Sequence, residues 1–304
     1  MTPLADLQLA SLKTAAETIN AHDSRGYAAL FTPSAIHREA AAPDIVGRDG
    51  IAARMELLFR SFPDFRFSFV RVWQKGNVVV ATWSWTGTDT GGFLGKKATS
   101  RPAGLEGVTI GWYNDDGMVR EVRVYEDGQT VVDQLDARAK KGTFRAPPVT
   151  HAGMEVIVGV AAPGDDANLR VAKIFYEALE NRRQTEILGL FNSDSTADDY
   201  AMAPQTARGL GDWKAMVRSW TSAFPDSSQL PLVSQIVVND YVISERIVHA
   251  THRGPVGRIG PTGLPVTVHA VDIMQLKDGK IARFWTWSNT LELVAQANRR
   301  ARKP

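Results

Sequence analysis

The sequence predicts an α+β fold that is built twice from the same unit. The tripeptide Phe-Pro-Asp occurs at residues 62–64 and again at residues 224–226, an offset of 162. In both places an amphipathic helical pattern precedes the tripeptide and a strand-like alternation follows it. A duplicated domain explains this offset, because solenoid repeats have periods of only about 20 to 50 residues.

The offset persists along most of each half. Identical residue types recur 160 to 163 positions apart: Lys13 and Lys173, Leu30 and Leu190, Gly47 and Gly209, Asn77 and Asn239, Thr88 and Thr251, and Gln134 and Gln296. We therefore predict one domain over residues 1–137, a linker over 138–166 and a second domain over 167–304. The linker is rich in proline, and its Met154–Val160 stretch is a candidate edge strand whose place in a sheet the sequence does not indicate.

Each half begins with helices. Apolar residues recur at helical spacing from Leu9 to Ile19 and from Ile51 to Phe62, and the second half repeats both stripes. A short helix lies between them, and a loop leads from it to the helix that ends at the Phe-Pro-Asp turn. Proline cannot continue that helix and biases the preceding residue toward extended geometry, so the helix is predicted to end there.

After the turn the hydrophobic period changes from about 3.6 to 2, which predicts strands. The predicted strands are Val70–Trp73, Val78–Thr88, Gly107–Tyr113, Met118–Tyr125, Val233–Val238, Tyr241–His252, Val266–Leu276 and Lys280–Trp287. An Asp-Gly pair between the last two strands of each half favours a tight hairpin turn. Helices followed by an antiparallel sheet give the α+β class.

Composition narrows the functional classes. The chain has 304 residues and a net charge of +2, with no basic stripe, so we expect neither nucleic acid nor membrane as a partner. The absence of cysteine excludes disulfides and thiolate sites. No leader pattern and no apolar run of about 18 residues is present, so we expect a cytoplasmic protein. Phosphate-loop, nucleophile-elbow and zinc-protease motifs are also absent.

Several segments in order resemble the SnoaL-like branch of the nuclear transport factor 2-like superfamily. In the first half they are SFPDF, WTGTDTGGFLG, ATSRP and DDGMVREVRVYEDGQTVVDQL, and in the second half AFPD, ATHRG, PTGLP and VDIMQLKDGKIARFW. The resemblance implies a cone-shaped α+β barrel in each half, in which a curved antiparallel sheet wraps around helices and leaves an apolar pocket. It also implies that the two repeats pair within the chain, and it leaves a further homo-oligomer open.

The resemblance also implies a function. Polyketide cyclases, ketosteroid isomerases and small dehydratases of this superfamily generally work without metal or cofactor, so we expect neither here. We predict an acid/base enzyme acting on a small hydrophobic carbonyl or aromatic compound, of cyclase type before isomerase, dehydratase or lyase. The alternative is a non-catalytic small-molecule binding protein, or an intrachain pseudo-dimer scaffold in which one repeat is degenerate.

Asp127 is the leading candidate for a proton shuttle in the first half. It matches the family's Tyr-x-Asp position in VYEDGQ, which assigns the neighbouring Tyr125 to substrate binding. The alternative is that Asp127 forms a turn or caps the following helix. Its counterpart at the 162-residue offset is Asn289, which cannot exchange a proton but could contact substrate.

Asp272 is the leading candidate in the second half. It lies in the middle of an apolar strand, where a charge is costly unless it is paired or protonated. The segment is similar to the ketosteroid isomerase strand that carries a neutral, hydrogen-bond-donating aspartic acid, and the first half has Ile110 at this position. The alternative is a salt bridge at the repeat interface with Arg246 or Arg283.

Further acid/base candidates follow the second helix of each half. Asp199 and Glu39 each lie eight residues past a phenylalanine, and the resemblance matches Asp199 to the isomerase base. His37 is a candidate base near neutral pH. The alternative is a segment that is acidic for solubility. The isomerase tyrosine would fall on Phe175, and we assign the adjacent Tyr176 to substrate binding.

Three histidines of the second half, His249, His252 and His269, are predicted on adjacent strands. His249 and His269 would be cross-strand neighbours if their hairpin centred near Ile259, but a metal site needs a third ligand, and none is expected. His252 occupies a family histidine position where the first half has Asp89, so it is a candidate for ordering the strand end and for contacting substrate.

The chain has eight tryptophans. Residues of the same parity in a strand face one side, either toward a pocket or toward a seam between sheets. A flat aromatic substrate would suit the first arrangement. The strand tryptophans assigned to substrate binding are Trp83, Trp85, Trp112, Trp285 and Trp287.

Overall fold

A computed structural model describes residues 3–39, 42–136, 153–160, 164–200, 205–256 and 259–298. The chain divides into two compact units, residues 1–159 and 160–304. Each unit contains helices and one sheet, so the predicted α+β class and its duplication are confirmed. Most of the predicted linker lies outside the described residues.

The first unit follows the predicted order of helices and then strands. Its helices are α1 (Pro3–Asn20), α2 (Ser24–Ala29), α3 (Gly47–Ser61) and α4 (Gly128–Leu135). Its strands are β1 (Phe31–Arg38), β2 (Ile45–Val46), β3 (Arg66–Lys75), β4 (Val78–Thr88), β5 (Pro102–Tyr113), β6 (Val119–Glu126) and β7 (Glu155–Val158). The strand order in the sheet is β2-β1-β6-β5-β4-β3-β7.

The second unit repeats this order. Its helices are α5 (Asp165–Glu180), α6 (Gln184–Gly189), α7 (Gly209–Ala223) and α8 (Thr290–Ala297). Its strands are β8 (Phe191–Asp199), β9 (Gln205–Arg208), β10 (Ser234–Val238), β11 (Tyr241–Thr251), β12 (Pro265–Lys277) and β13 (Lys280–Ser288). The sheet order is β10-β11-β12-β13-β8-β9. Among the described strands neither sheet closes on itself into a complete barrel.

The segment predicted as a loop before the third helix is a pair of strands in each unit. Strand β1 runs parallel to β6 and β8 runs parallel to β13, so the sheets are mixed and not purely antiparallel. Phe31, Ala35 and His37 of β1 are buried, but Pro33 between them is exposed and the register of the pairing shifts between Phe31 and Ile36. Because of this irregularity, the alternation of apolar and polar residues does not indicate a strand here.

The Met154–Val160 stretch, predicted as a candidate edge strand, contains strand β7. It lies parallel to β3 at the edge of the first sheet, with Arg71 opposite Glu155. Arg71 Nε donates a hydrogen bond of 2.7 Å to Glu155 Oε2 across this edge. The stretch is therefore part of the first unit.

The repeated Phe-Pro-Asp turn ends a helix and fastens a strand. The phenylalanine of each turn is the C-cap of its helix and is buried. Asp64 accepts hydrogen bonds from the backbone N and the Oγ1 of Thr88 at 2.6 and 2.7 Å. Asp226 accepts the same two bonds from Thr251 at 2.8 and 2.5 Å. The turn thus ties the end of α3 or α7 to the last residue of β4 or β11.

We expect Asp64→Ala to lower the free energy of unfolding of the first unit by about 1 kcal/mol, since the clamp is largely exposed and solvent weakens its charge. Burial tends to raise the pKa of Asp64, but the hydrogen bonds from Thr88 outweigh it and lower the pKa. The contribution of the clamp is therefore complete above about pH 3.9, the unfolded value, and is lost as the pH falls through the lower folded value.

Urea unfolding of Asp64→Ala, Thr88→Val and the double variant, at neutral and acidic pH, measures this clamp. The two single losses should not add, because Thr88→Val removes one of the two hydrogen bonds that Asp64→Ala removes. Additive losses, or a loss that persists unchanged at acidic pH, would contradict the assignment.

Candidate active site

The first unit contains a cavity of about 150 Å³ between its helices and its sheet. Most of its walls are apolar, and its aromatic lining includes Phe65, Phe67, Phe69, Phe93, Trp83 and Trp85. A dry cavity of about this volume, engineered into another protein, binds benzene. A cavity of this volume therefore suits a molecule with about one six-membered ring.

Gly107 makes room for one of these aromatic side chains. It lies opposite Trp83 across β4 and β5. A Cβ atom at Gly107 would come within 2.3 Å of the Trp83 ring, so the indole lies across the glycine. Trp85, on the same face, stacks on Phe65 with 5.1 Å between ring centroids. Both tryptophans, which the sequence assigned to substrate binding, line the cavity.

Glu126 ends β6 on the cavity side. Val122, Val124 and Glu126 alternate along the strand and all line the cavity. Burial raises the pKa of Glu126 to about 7, and the negative charge of Glu39 adds to this while Arg54 opposes it. Glu126 therefore exists in both charge states at neutral pH, which is the condition a general acid or base needs.

A charged pair and a histidine lie in the same cavity. Arg54 Nη2, on α3, lies 2.8 Å from Glu39 Oε2, just after β1. His37 Nδ1 is 3.5 Å from Glu39 Oε1 and has no hydrogen-bond partner among the described residues. Burial lowers the pKa of His37 although Glu39 raises it, so the imidazole is neutral at pH 7. The predicted candidates His37 and Glu39 are thus brought together.

Two tyrosines, Tyr27 and Tyr113, add hydroxyl groups to the lining. Burial raises the pKa of Tyr27 above its usual value, and the charge of Glu39 adds to this. Burial also raises the pKa of Tyr113, and Tyr27 adds to that shift. Both hydroxyls therefore keep their protons at neutral pH and can donate hydrogen bonds to a ligand in the cavity.

Asp127, the leading candidate in the sequence, is the N-cap of α4. Its Oδ1 accepts a hydrogen bond of 3.2 Å from Thr130 N, and its Oδ2 accepts a short one from Thr130 Oγ1. It is not among the described residues that line the cavity. The structure therefore favours the capping alternative. The sequence could have indicated Glu126. It lies two residues after Val124 in a strand, and such residues share one face of the sheet.

The second unit has a smaller cavity, of about 70 Å³, with a buried ion pair at its wall. Arg246 Nε and Nη2 bind the two oxygens of Asp272 at 2.8 and 3.1 Å. Tyr176 Oη donates a hydrogen bond of 2.8 Å to Asp272 Oδ2. Arg246 was one of the two partners considered for Asp272, and the pair lies inside the second unit. Asp199, at the end of β8, also lines this cavity.

Strand pairing and helix ends identify the corresponding residues of the two cavities. The correspondences are Glu126 with Ser288, His37 with Ala197, Arg54 with Met216, and Glu39 with Asp199. Of these four groups the second cavity keeps only the carboxylate of Asp199. Ser288, Ala197 and Met216 stand where the first cavity has a second carboxylate, an imidazole and a guanidinium.

The register corrects the expected counterpart of Asp272. Gly107 pairs with the last residue of β6, and Ala270 pairs with the last residue of β13. The offset between these two strands is therefore 163, which places Thr109 and not Ile110 at the position of Asp272. Thr109 lines the first cavity as Asp272 lines the second.

Tyr176 of α5, which was predicted to bind substrate, donates to Asp272 and is not among the described residues that line either cavity. The same holds for four aromatic residues on strands that were predicted to bind substrate. They alternate along their strands with cavity-lining residues, so they face the other side of the sheet. Trp112 packs against Arg123, whose guanidinium carbon is 4.7 Å from its ring, and Trp287 stacks on Tyr200. These four residues are Tyr125, Trp112, Trp285 and Trp287.

His252 and Asn289 have structural contacts. His252 is buried after β11, its Nδ1 lies 3.2 Å from Thr262 Oγ1, and its backbone N bonds Leu264 O. Asp89 orders the corresponding loop of the first unit through its own hydrogen bonds. Asn289 is the N-cap of α8, as Asp127 is of α4. These contacts favour the prediction that His252 orders the strand end.

The other two histidines of the second unit are not opposite each other. His249 pairs with Thr267 and His269 pairs with Ile247, so the register differs by two residues from the expected one. His269 Nδ1 lies 2.9 Å from Glu292 Oε1. Within the described residues no group of three or more His, Asp or Glu side chains could hold a metal ion.

Comparison with known proteins identifies the class. The model of the SnoaL-like polyketide cyclase family matches residues 10–135 and 170–297, more than half of the chain. The chain therefore belongs to this family and contains two copies of its domain, so the resemblance noted in the sequence is confirmed. A search of curated proteins found no match. Among the described residues no helix has the length and apolar character needed to cross a bilayer.

Three similar solved structures each correspond to less than half of the chain. AclR from Streptomyces galilaeus, described as a candidate hydroxylase, is 21% identical with a TM-score of 0.40, covering 44% of this chain and 98% of its own. A candidate SnoaL-like polyketide cyclase from a Jannaschia species is 15% identical with a TM-score of 0.42, covering 46% and 97%. TsrD from Streptomyces laurentii is 21% identical with a TM-score of 0.39, covering 43% and 95%.

Proposed function

We propose that the protein is a cofactor-independent acid/base enzyme of the cyclase type, and that its working site is the cavity of the first unit. The substrate class is a small hydrophobic carbonyl or aromatic compound. The observation that carries this proposal is the position of the Glu126 carboxyl in the lining of an aromatic cavity, where burial raises its pKa to about 7. An ordinary surface glutamate would be fully ionised at that pH and a much weaker base.

The residues around Glu126 support a proton transfer next to a carbonyl group. Ionised Glu126 takes a proton from the carbon adjacent to a substrate carbonyl, and the electrons of that C–H bond move onto the carbonyl oxygen. Tyr27, Tyr113 and His37 are neutral and can donate hydrogen bonds to the enolate oxygen. Arg54 and Glu39 neutralise one another, so the base keeps its raised pKa.

Ring closure then needs no other reactant. The enolate carbon attacks a second carbonyl of the same molecule, and one C–C bond forms. The electron pair of that carbonyl becomes an alkoxide, and protonated Glu126 returns its proton there. The protein supplies the proton shuttle, the donors and a largely apolar space that excludes water.

The second unit favours a different function, small-molecule binding without proton transfer. Ser288 stands where the first unit has Glu126, and Ala197 stands where it has His37. Asp272 is engaged by Arg246 and Tyr176. The acid/base roles that the sequence predicts for Asp272 and Asp199 stay as predictions, and the variants described in the Discussion test that of Asp272.

The test is a substrate screen with the full-length protein. Compounds with two or more carbonyl groups, each of about one ring in size, are incubated with wild type and with Glu126→Gln, and products are identified by mass spectrometry. Conversion by wild type and its loss in Glu126→Gln supports the proposal. A wild type that changes the spectra of several compounds and converts none would establish the binding alternative.

A further inference from the structure

The first unit contains another cavity, of about 420 Å³, which we call the outer cavity. Its walls are α4 and the loop between β4 and β5, residues 89–101. Leu94 and Lys96 line it from the loop and are exposed, and Val132 lines it from α4 and is half-buried. The outer cavity is therefore accessible from solvent on the side of the loop.

Phe93 is the one described residue that belongs to the linings of both the first cavity and the outer cavity. Its ring is half-buried and packs on Phe62, with 5.5 Å between the ring centroids. Phe62 in turn lies 5.0 Å from Trp85, which lines the first cavity. In α4, Val131 lines the first cavity and Val132 the outer one. The Phe93 ring is therefore part of the wall between the two cavities.

Hydrogen bonds fix the two ends of this loop. The carboxylate of Asp89 accepts bonds of 2.9 Å from Gly92 N and from Thr99 N. Within the described chain, the tip of the loop, residues 93–98, makes hydrogen bonds only within itself. The packing of the Phe93 ring is therefore the main contact that holds the tip against the unit.

The backbone on both sides of Phe93 has left-handed geometry. Gly92 has a φ of 88° and Gly95 a φ of 72°, which glycine adopts at little cost. Leu94 has a φ of 50°, which is unfavourable for a residue with a side chain and persists only where the surroundings impose it. The loop thus holds the ring in the wall by a conformation that Leu94 would not adopt by itself.

The second unit has no aromatic ring at this position. The flanking strands correspond at an offset of 163, which places Val256 where the first unit has Phe93. Val256 forms a bridge with Ile259 and is not among the described residues that line the second cavity. The aromatic wall is therefore particular to the unit whose cavity contains Glu126.

We propose that Phe93 determines the size of the molecules that the first cavity accepts. With the ring in the wall, a ligand is restricted to the first cavity and so to about one six-membered ring. Without the ring the two cavities join, and a molecule with two rings extends from the first cavity into the outer one. The inference rests on the proposed function only in treating such a ligand as a substrate.

The test compares benzyl alcohol with 4-biphenylmethanol, which has the same polar group and one ring more. Calorimetry gives the Kd of each compound for the full-length protein. We expect wild type to bind 4-biphenylmethanol at least about tenfold more weakly than benzyl alcohol, because a group that does not fit a packed wall must displace it. Phe93→Ala should bind 4-biphenylmethanol at least about tenfold more tightly than wild type does, and benzyl alcohol within about threefold of wild type.

Leu94→Ala is the matched control. Leu94 is the next residue of the same tip, is 58% exposed and lines the outer cavity but not the first. Its substitution removes an apolar side chain from the loop and leaves the wall between the cavities in place. This variant should therefore keep the wild-type preference for benzyl alcohol.

Methyl signals of the ¹³C-labelled protein locate the second ring of the ligand. Val122 lines the first cavity and Val132 lines the outer one. Benzyl alcohol should shift the Val122 signals of wild type and leave those of Val132 unchanged. In Phe93→Ala, 4-biphenylmethanol should shift both. This measurement separates a joined cavity from a loop that has merely been disturbed by the substitution.

Three results would each overturn the inference. They are equal binding of the two alcohols by wild type, a Phe93→Ala variant that keeps the wild-type preference, and unchanged Val132 signals when that variant is saturated with 4-biphenylmethanol. A failure of the proposed function is seen separately, as full turnover in Glu126→Gln or as no conversion by wild type. The binding preference needs no turnover, so it is decided independently of the role of Glu126.

Discussion

Glu126→Gln is expected to lower kcat/KM for the substrate of the first cavity by about 10²- to 10⁴-fold, because an amide of nearly the same shape cannot take the proton. Asp127→Asn is the control. Asparagine is as good an N-cap as aspartate, so this neighbouring variant should keep its turnover within about threefold if Asp127 only caps α4. A large loss in Asp127→Asn with full activity in Glu126→Gln would reverse the assignment of the two residues.

The pH dependence of the reaction gives a second measure of the same residue. Because the base must be ionised and burial raises the pKa of Glu126 to about 7, kcat/KM should rise with pH and level off above that value. In Glu126→Gln the residual rate should lose this step. A wild-type profile that is flat from pH 5 to 9 would contradict a catalytic carboxyl with a raised pKa.

The raised pKa of Glu126 also predicts a stability effect that needs no substrate. The folded state holds the proton more tightly than the unfolded state, so the folded state is favoured below about pH 4.5 and loses that advantage as the pH rises through 7. Glu126→Gln removes this loss and should be more stable than wild type at pH 8, by at most about 3 kcal/mol. Urea unfolding of both proteins at pH 5 and pH 8 measures the difference. If the free energy of unfolding changed equally with pH in both proteins, the raised pKa of Glu126 would be contradicted.

The fold could largely be predicted from the sequence because duplication tests each pattern twice. A Phe-Pro-Asp turn followed by alternation could be chance once, but its recurrence at one offset is not. The limits of β4 agree with the prediction at both ends, from Val78 to Thr88. Strands β1 and β8 escaped because the residue between their first two buried positions is exposed and because the register of their pairing shifts. The Met154–Val160 stretch was predicted as a candidate edge strand, but a short edge strand carries no periodic signal that assigns it to a neighbour, and the structure pairs it with β3.

The site was predicted less well because side chains in strands change face at every residue. The sequence pointed to Asp127 and the structure points to Glu126, one position away and on the cavity side. The same slip moved the counterpart of Asp272 from Ile110 to Thr109, since the offset in β5 and β12 is 163 and not 162. Family resemblance finds the segment, but only the pairing of strands decides which of two adjacent side chains faces the cavity.

Asp272→Asn is expected to lower the free energy of unfolding of the second unit by about 3 to 5 kcal/mol, since it leaves the Arg246 guanidinium buried without its counterion. Hydrogen exchange of second-unit peptides, followed by mass spectrometry, locates this loss. Asp278→Asn is the matched control: Asp278 has a left-handed backbone with φ of 54°, which asparagine tolerates. It should change stability by less than about 0.5 kcal/mol.

The same variant separates a structural role of Asp272 from the catalytic role that its sequence suggests. Replacing both partners, with Asp272→Leu and Arg246→Met, should recover most of the lost stability, because an apolar pair needs no counterion. If Asp272 serves only the ion pair, the double variant should also keep wild-type turnover of every compound that the protein converts. If Asp272 transfers protons, Asp272→Asn would lose turnover while the second unit stays folded. The double variant would then recover stability without recovering turnover.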